Sequence, residues 1–142
     1  MTIMSEVLTA QYLFRRLKEI GVETFFGVPG DWELALLDFV LEESLNWIGT
    51  PNELIGAYAA DGYARQKGSA ALVTSFGPGD LSALCGIGES FCENIPVLHI
   101  VGYPTRLAQA SGKILHHTLG DLSYELVLEE VHLQFLKYFV SP

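Results

Sequence analysis

Ala70-Ala71-Leu72-Val73-Thr74-Ser75-Phe76, closed by Gly77-Pro78-Gly79-Asp80, is the stretch on which the fold turns. It is apolar on both alternating faces, as a strand buried inside a parallel sheet has to be. The Gly-Pro-Gly run breaks it, and the small residues from Leu81 to Asn94 predict a helix. A second continuous strand is predicted at Val97-Leu98-His99-Ile100-Val101, ended by Gly102-Tyr103-Pro104.

Upstream the same alternation repeats. Leu8, Tyr12, Leu13, Leu17 and Ile20 recur at helical spacing, with Arg15, Arg16, Lys18 and Glu19 on the other side and Gly21 as the stop. The β-rich run Glu23 to Val28 is closed by Pro29-Gly30-Asp31, whose Asp is able to cap a following helix marked by Leu34, Leu37, Val40 and Leu41. A shorter strand is predicted at Asn46 to Gly49. After it comes a small-residue helix through Ala57, Ala60, Tyr63 and Ala64, stopped by Gly68. Strands and helices in strict alternation, joined by short connections, predict a single α/β domain: a doubly wound, mainly parallel sheet with helices on both faces, three layers deep. This domain is expected over residues 1–120. Residues 121–142 form a divergent tail with helical spacing and unusual apolar bulk, including Leu126, Leu128, Val131 and Phe139.

Composition narrows the function classes. At 142 residues and 49% hydrophobic content there is material for one core. The formal charge of −9 repels phosphate backbones and anionic membranes, so neither nucleic acid nor a membrane is an expected partner. Cys85 and Cys92 match no redox or zinc spacing and read as reduced, buried thiols. No basic and apolar leader opens the chain and no apolar run is long enough for a membrane span, which makes the cytoplasm the expected location.

In open α/β sheets ligands sit beyond the carboxyl ends of the strands, where loops and helix N-termini converge. Asp31, Glu53, Gly77 with Gly79, and the 102–117 loop follow the four predicted strands in turn. Each has a plain structural alternative. Asp31 is able to serve as a helix cap, Glu53 as a first-turn acid favoured by the helix dipole, the glycines as turn formers, and His116 and His117 as solvated loop residues. A dinucleotide fingerprint at Gly77 to Ser82 is weak, since Ser stands where Gly or Ala is wanted and no acid follows at Val101-Gly102. No Walker A pattern and no cluster with metal-ligand spacing occurs.

The blocks Phe26-Gly27-Val28-Pro29-Gly30-Asp31, Asn52-Glu53-Leu54, Ala57 to Arg65, Ser75-Phe76-Gly77, Leu81-Ser82-Ala83 and His116-His117-Thr118-Leu119-Gly120 settle the comparison. Together, in order and from about Leu8 to Gly120, they resemble the N-terminal, pyrimidine-binding domain of pyruvate and indolepyruvate decarboxylases, which are thiamine-diphosphate-dependent lyases. The resemblance implies that Glu53 hydrogen-bonds the pyrimidine of thiamine diphosphate (thiamine pyrophosphate) and takes part in its proton exchange. It implies that Asp31, His116 and His117 are acid-base residues facing a small 2-oxo acid such as pyruvate, which leaves as aldehyde and carbon dioxide. Pro29, Gly30, Ser75 and Gly77 are implied to line the cofactor, with Ser75 where the family has Thr. Acetolactate synthases share the glutamate without the Asp and His-His set, which favours a non-oxidative decarboxylase. The resemblance also implies Mg²⁺ and diphosphate held by a separate domain of a second subunit, hence a homo-oligomer. That domain's Gly-Asp-Gly signature is absent from these residues, so no metal ligand is expected here and the chain is expected to be an incomplete fragment, inactive alone. The alternative from another class is a non-catalytic interaction module that docks on full-length relatives.

Overall fold

The computed structural model describes residues 7–118. Nine elements alternate along them: α1 (Thr9–Glu19), β1 (Thr24–Gly27), α2 (Leu34–Glu42), β2 (Asn46–Gly49), α3 (Glu53–Lys67), β3 (Ala70–Ser75), α4 (Pro78–Cys92), β4 (Val97–Gly102) and α5 (Arg106–Ala110). The strands form one parallel sheet in the order β2-β1-β3-β4. Every residue of β3 is buried, as its two-sided apolar pattern requires. β4 is only partly buried and lies at the edge of the sheet among the described residues.

Each face of the sheet carries a core. Phe14, Leu17 and Val40, from α1 and α2, pack on Phe25, Ala71 and Val73. Ala57, Ala60 and Ala64 of α3, with Ala83 of α4, pack on Phe26, Ala70 and Leu72 from the other side. These are the three layers and the α/β class expected from the sequence. The second face is built almost wholly of alanine, so α3 and α4 approach closely. A Cβ on Gly86 would lie 2.6 Å from that of Ala57.

Four local expectations are corrected. In α1 the buried stripe is Phe14 and Leu17, whereas Leu8, Tyr12 and Ile20 are exposed. Phe14 meets Phe25 edge-to-face at 5.2 Å, and that contact sets the rotation of the helix. Helix α4 begins at Pro78 rather than Leu81, because proline is well suited to the first helical turn, where its missing N–H costs nothing. Cys85 and Cys92 are free thiols as expected, but exposed rather than buried. They sit on the outer side of α4, while Ala83, Gly86 and Ser90 supply its buried side. Asp31 does not cap α2, whose N-cap position is occupied by Glu33. The tail expected to be helical over 122–140 lies outside the described residues. None of the helices among the described residues is long and apolar enough to cross a membrane.

Candidate active site

The sheet order creates a switch point. From β1 the chain winds outward to β2, then crosses back to place β3 on the other side of β1. Connections leaving β1 and β3 therefore diverge, and a crevice opens beyond their carboxyl ends. A cleft of about 330 Å³ lies there, lined by Val28, Pro29, Gly30 and Asp31 after β1, Glu53 at the start of α3, Ser75, Pro78 and Gly79 after β3, and His116 and His117.

Three segments far apart in sequence thus converge with the His pair. Glu53 is half-buried in the first turn of α3, where Asn52 caps the helix by accepting from the Ile55 N–H at 2.9 Å. Its carboxylate points at α4: a Cβ on Gly79 would lie 3.3 Å from Glu53 Oε1. Glycine at 79 therefore leaves open the space beside that carboxylate. His116 Nε2 is 3.5 Å from Asp31 Oδ2, and both side chains are open to solvent. The His116 ring is stacked on Trp32 at 4.9 Å, and His117 meets it edge-on at 4.8 Å. Aromatic packing, rather than regular secondary structure, positions the imidazoles. His117 adopts φ +76°, a left-handed conformation uncommon for a residue with a side chain.

Every residue singled out from the sequence reaches the cleft wall except Gly77. That residue, at φ +77°, lies behind His117, and a Cβ on it would come within 2.7 Å of the His117 carbonyl oxygen. It supports the His pair, while Gly79 faces the cleft.

Glu33 is the residue that the sequence reading missed. It is 1% exposed, and both carboxyl oxygens accept from Ser75 Oγ, at 3.1 and 3.0 Å. Burial pushes its pKa above the ordinary glutamate value; hydrogen bonds from Ser75 and from the backbone of Gly30 and Glu33 oppose that shift, and the neighbouring Asp31 charge adds to it. The signal was weak because an acid at a helix N-cap ordinarily reads as a solvated dipole partner. Among the described residues no group of three or more His, Cys, Asp or Glu is arranged to hold a metal ion.

Residues 8–124 match the family model described as thiamine pyrophosphate enzyme, N-terminal TPP binding domain. The chain belongs to the thiamine pyrophosphate enzymes. Among relatives of this family, pyruvate decarboxylase isozyme 3 of Saccharomyces cerevisiae is 56% identical over 119 residues, covering 83% of this chain and 21% of that protein. Pyruvate decarboxylase of Kluyveromyces marxianus is 54% identical over 119 residues, again 83% and 21%. The chain thus spans about a fifth of the length of these thiamine pyrophosphate enzymes. An X-ray structure described as "a putative thiamin diphosphate-dependent enzyme" from Mycobacterium smegmatis superposes with a TM-score of 0.70 at 22% identity, covering 80% of this chain and 22% of that one. This likeness concerns the fold.

Proposed function

We propose that the cleft is the pyrimidine-binding half of a thiamine diphosphate site in a non-oxidative 2-oxo-acid decarboxylase of the pyruvate decarboxylase type. The observation that carries this reading is the carboxylate of Glu53 beside Gly79, in one cleft with Asp31, Ser75 and the His pair. Those groups fit an aminopyrimidine: a carboxyl exchanges a hydrogen bond with a ring nitrogen, a hydroxyl meets an exocyclic amino group, and a missing side chain at position 79 leaves space for a flat ring.

When bound, thiamine diphosphate supplies the nucleophilic carbon and the electron sink that let a 2-oxo acid release carbon dioxide. The chain's own part is positioning and proton traffic. Glu53 holds or yields a proton at the ring nitrogen. His116 and Asp31, 3.5 Å apart at the cleft mouth, hand protons to and from the reacting acid, and His117 braces His116. Mg²⁺ and the diphosphate are assigned to a second domain contributed by another subunit, where charge-assisted contacts supply most of the cofactor affinity. Pyruvate or a similar small 2-oxo acid is the proposed substrate, and a homo-oligomer the proposed assembly.

The test mixes the chain with a thiamine-enzyme diphosphate domain lacking its own pyrimidine domain, then adds thiamine diphosphate, Mg²⁺ and pyruvate. Aldehyde is the expected product, and Glu53→Gln is expected to lower its rate at least a hundredfold. A rate indifferent to Glu53→Gln would refute the assignment.

A further inference from the structure

Glu33 has no part in the proton traffic proposed above, yet it is among the most deeply buried side chains of the described residues. It occupies the N-cap position of α2, and its carboxyl reaches the ends of two strands. Ser75 Oγ, at the end of β3, lies 3.1 and 3.0 Å from the two carboxyl oxygens. Gly102, at the end of β4, packs so closely that a Cβ on it would collide with Glu33 Oε2, and one on Gly30 would lie 2.9 Å from Oε1. One side chain thus fastens the β1–α2 loop to the carboxyl ends of β3 and β4. That loop supplies Val28, Pro29, Gly30 and Asp31 to the cleft wall.

The cradle suits a neutral carboxyl better than a charged one. No Lys, Arg or His among the described residues forms an ion pair with Glu33. From its own loop Asp31 adds charge of the same sign, while Ser75 of β3 and Gly102 of β4 do not titrate, nor do Leu34 to Leu37, which follow in α2. His116 bears on Glu33 through its pairing with Asp31, 3.5 Å away. Burial favours the protonated carboxyl, and hydrogen bonds from Ser75 and from the backbone of Gly30 and Glu33 offset this only in part. A charge formed there without a cation is relieved by carrying the carboxyl to water, and a loop opens at lower cost than a strand.

We propose that Glu33 is a pH-sensitive latch on the cleft: with its proton it holds the β1–α2 loop closed against β3 and β4, and on ionisation it swings toward water and releases the loop. The device does not depend on what occupies the cleft. The closed form binds the proton more tightly than the open form, so rising pH favours opening. Each unit by which the carboxyl's pKa differs between the two forms changes their ratio about tenfold.

The test is NMR on the isotope-labelled chain between pH 4 and pH 8. It reads the Glu33 carboxyl carbon, the amides of Gly30, Ser75 and Gly102, and hydrogen exchange at the Leu34 amide, which bonds to the Gly30 carbonyl at 3.1 Å. The carboxyl carbon and the three amides are expected to share one midpoint, above the usual glutamate value. At pH 8 Leu34 should exchange at least about tenfold faster than in Glu33→Gln, which stays latched at every pH, and at pH 4 the two chains should exchange alike. Asp31→Asn should lower the shared midpoint without abolishing it, because the Asp31 charge raises it. The shared midpoint and its shift in Asp31→Asn decide the matter even where Glu33→Gln fails to fold. Ionisation of Glu33 with the three amides unmoved would overturn the latch, as would an amide transition that survives Glu33→Gln or equal Leu34 exchange in the two chains at pH 8.

Discussion

The Glu53 carboxylate and the α-carbon of Gly79 face each other across the cleft so closely that a single methyl on Gly79 would come within 3.3 Å of Oε1. One residue begins α3 and the other lies in the first turn of α4, on opposite sides of the switch point in the sheet. Gly79→Ala is accordingly a clean probe of the site. Alanine is the better helix former by up to about 1 kcal/mol, so the fold should hold or gain stability. Affinity for 4-amino-2-methylpyrimidine should nevertheless fall about tenfold, because the added methyl occupies ring space. Calorimetry and thermal melts on the same variant check the opposite signs.

The α3–α4 contact responds in the other direction. Gly86 lies inside α4 with its Cβ position 2.6 Å from the Ala57 methyl and 3.2 Å from the Tyr58 nitrogen, so the alanine advantage cannot be realised there. Gly86→Ala should destabilise the fold by about 1–3 kcal/mol through overpacking, as measured by urea unfolding.

Glu33 gives stability a pH dependence of unusual sign for an acid. Its folded-state pKa lies above its ordinary value, chiefly through burial, so the folded chain holds this proton more tightly than the unfolded chain does. Stability from this group is complete below the usual glutamate range and is lost as pH rises from about 4.5 through the folded value. The groups packed against it from β3 and β4, Ser75 and Gly102, are uncharged, while Asp31 on its own loop raises the pKa further. Glu33→Gln should therefore gain melting temperature relative to the unaltered chain at pH 7–8, and the gain should shrink toward pH 4.

Asp61 behaves in the opposite way. Its side chain, buried between α3 and α4, accepts from Arg65 Nε at 2.5 Å and Ser90 Oγ at 2.7 Å, and the Arg65 bond in particular holds its pKa below the ordinary aspartate value. The stability this contributes is present above the normal aspartate range and disappears as pH falls through the folded value. Asp61→Asn should cost about 2 kcal/mol near neutrality, the scale of a charge-assisted hydrogen bond, with the cost shrinking in acid. Denaturant melts at pH 7 and pH 3 read the difference.

Cys85 and Cys92 are exposed on α4 and should both react with a thiol reagent in the folded chain, without denaturant. Reaction only on unfolding would show that both thiols are protected in solution.

Local pattern was enough to read every element except α5 (Arg106–Ala110), which falls in the stretch expected to be a loop, because periodicity and turn chemistry are properties of neighbouring residues. The two-sided apolar run of β3, the left-handed Gly68 that ends α3, and the strand at Asn46 to Gly49 were all legible in this way. So was the set Asp31, Glu53, Ser75 and His-His, since each member falls at a strand end or in a recognisable block. Tertiary structure alone decided which side of α1 is buried, which side of α4 carries the cysteines, and that Gly77 supports His117 while Gly79 faces the cleft. It alone revealed Glu33. An acid after a turn looks solvated until Gly30, Ser75 and Gly102 close around it from three separate stretches of chain. Burial is a sum over such distant neighbours, and no window along the sequence contains that sum.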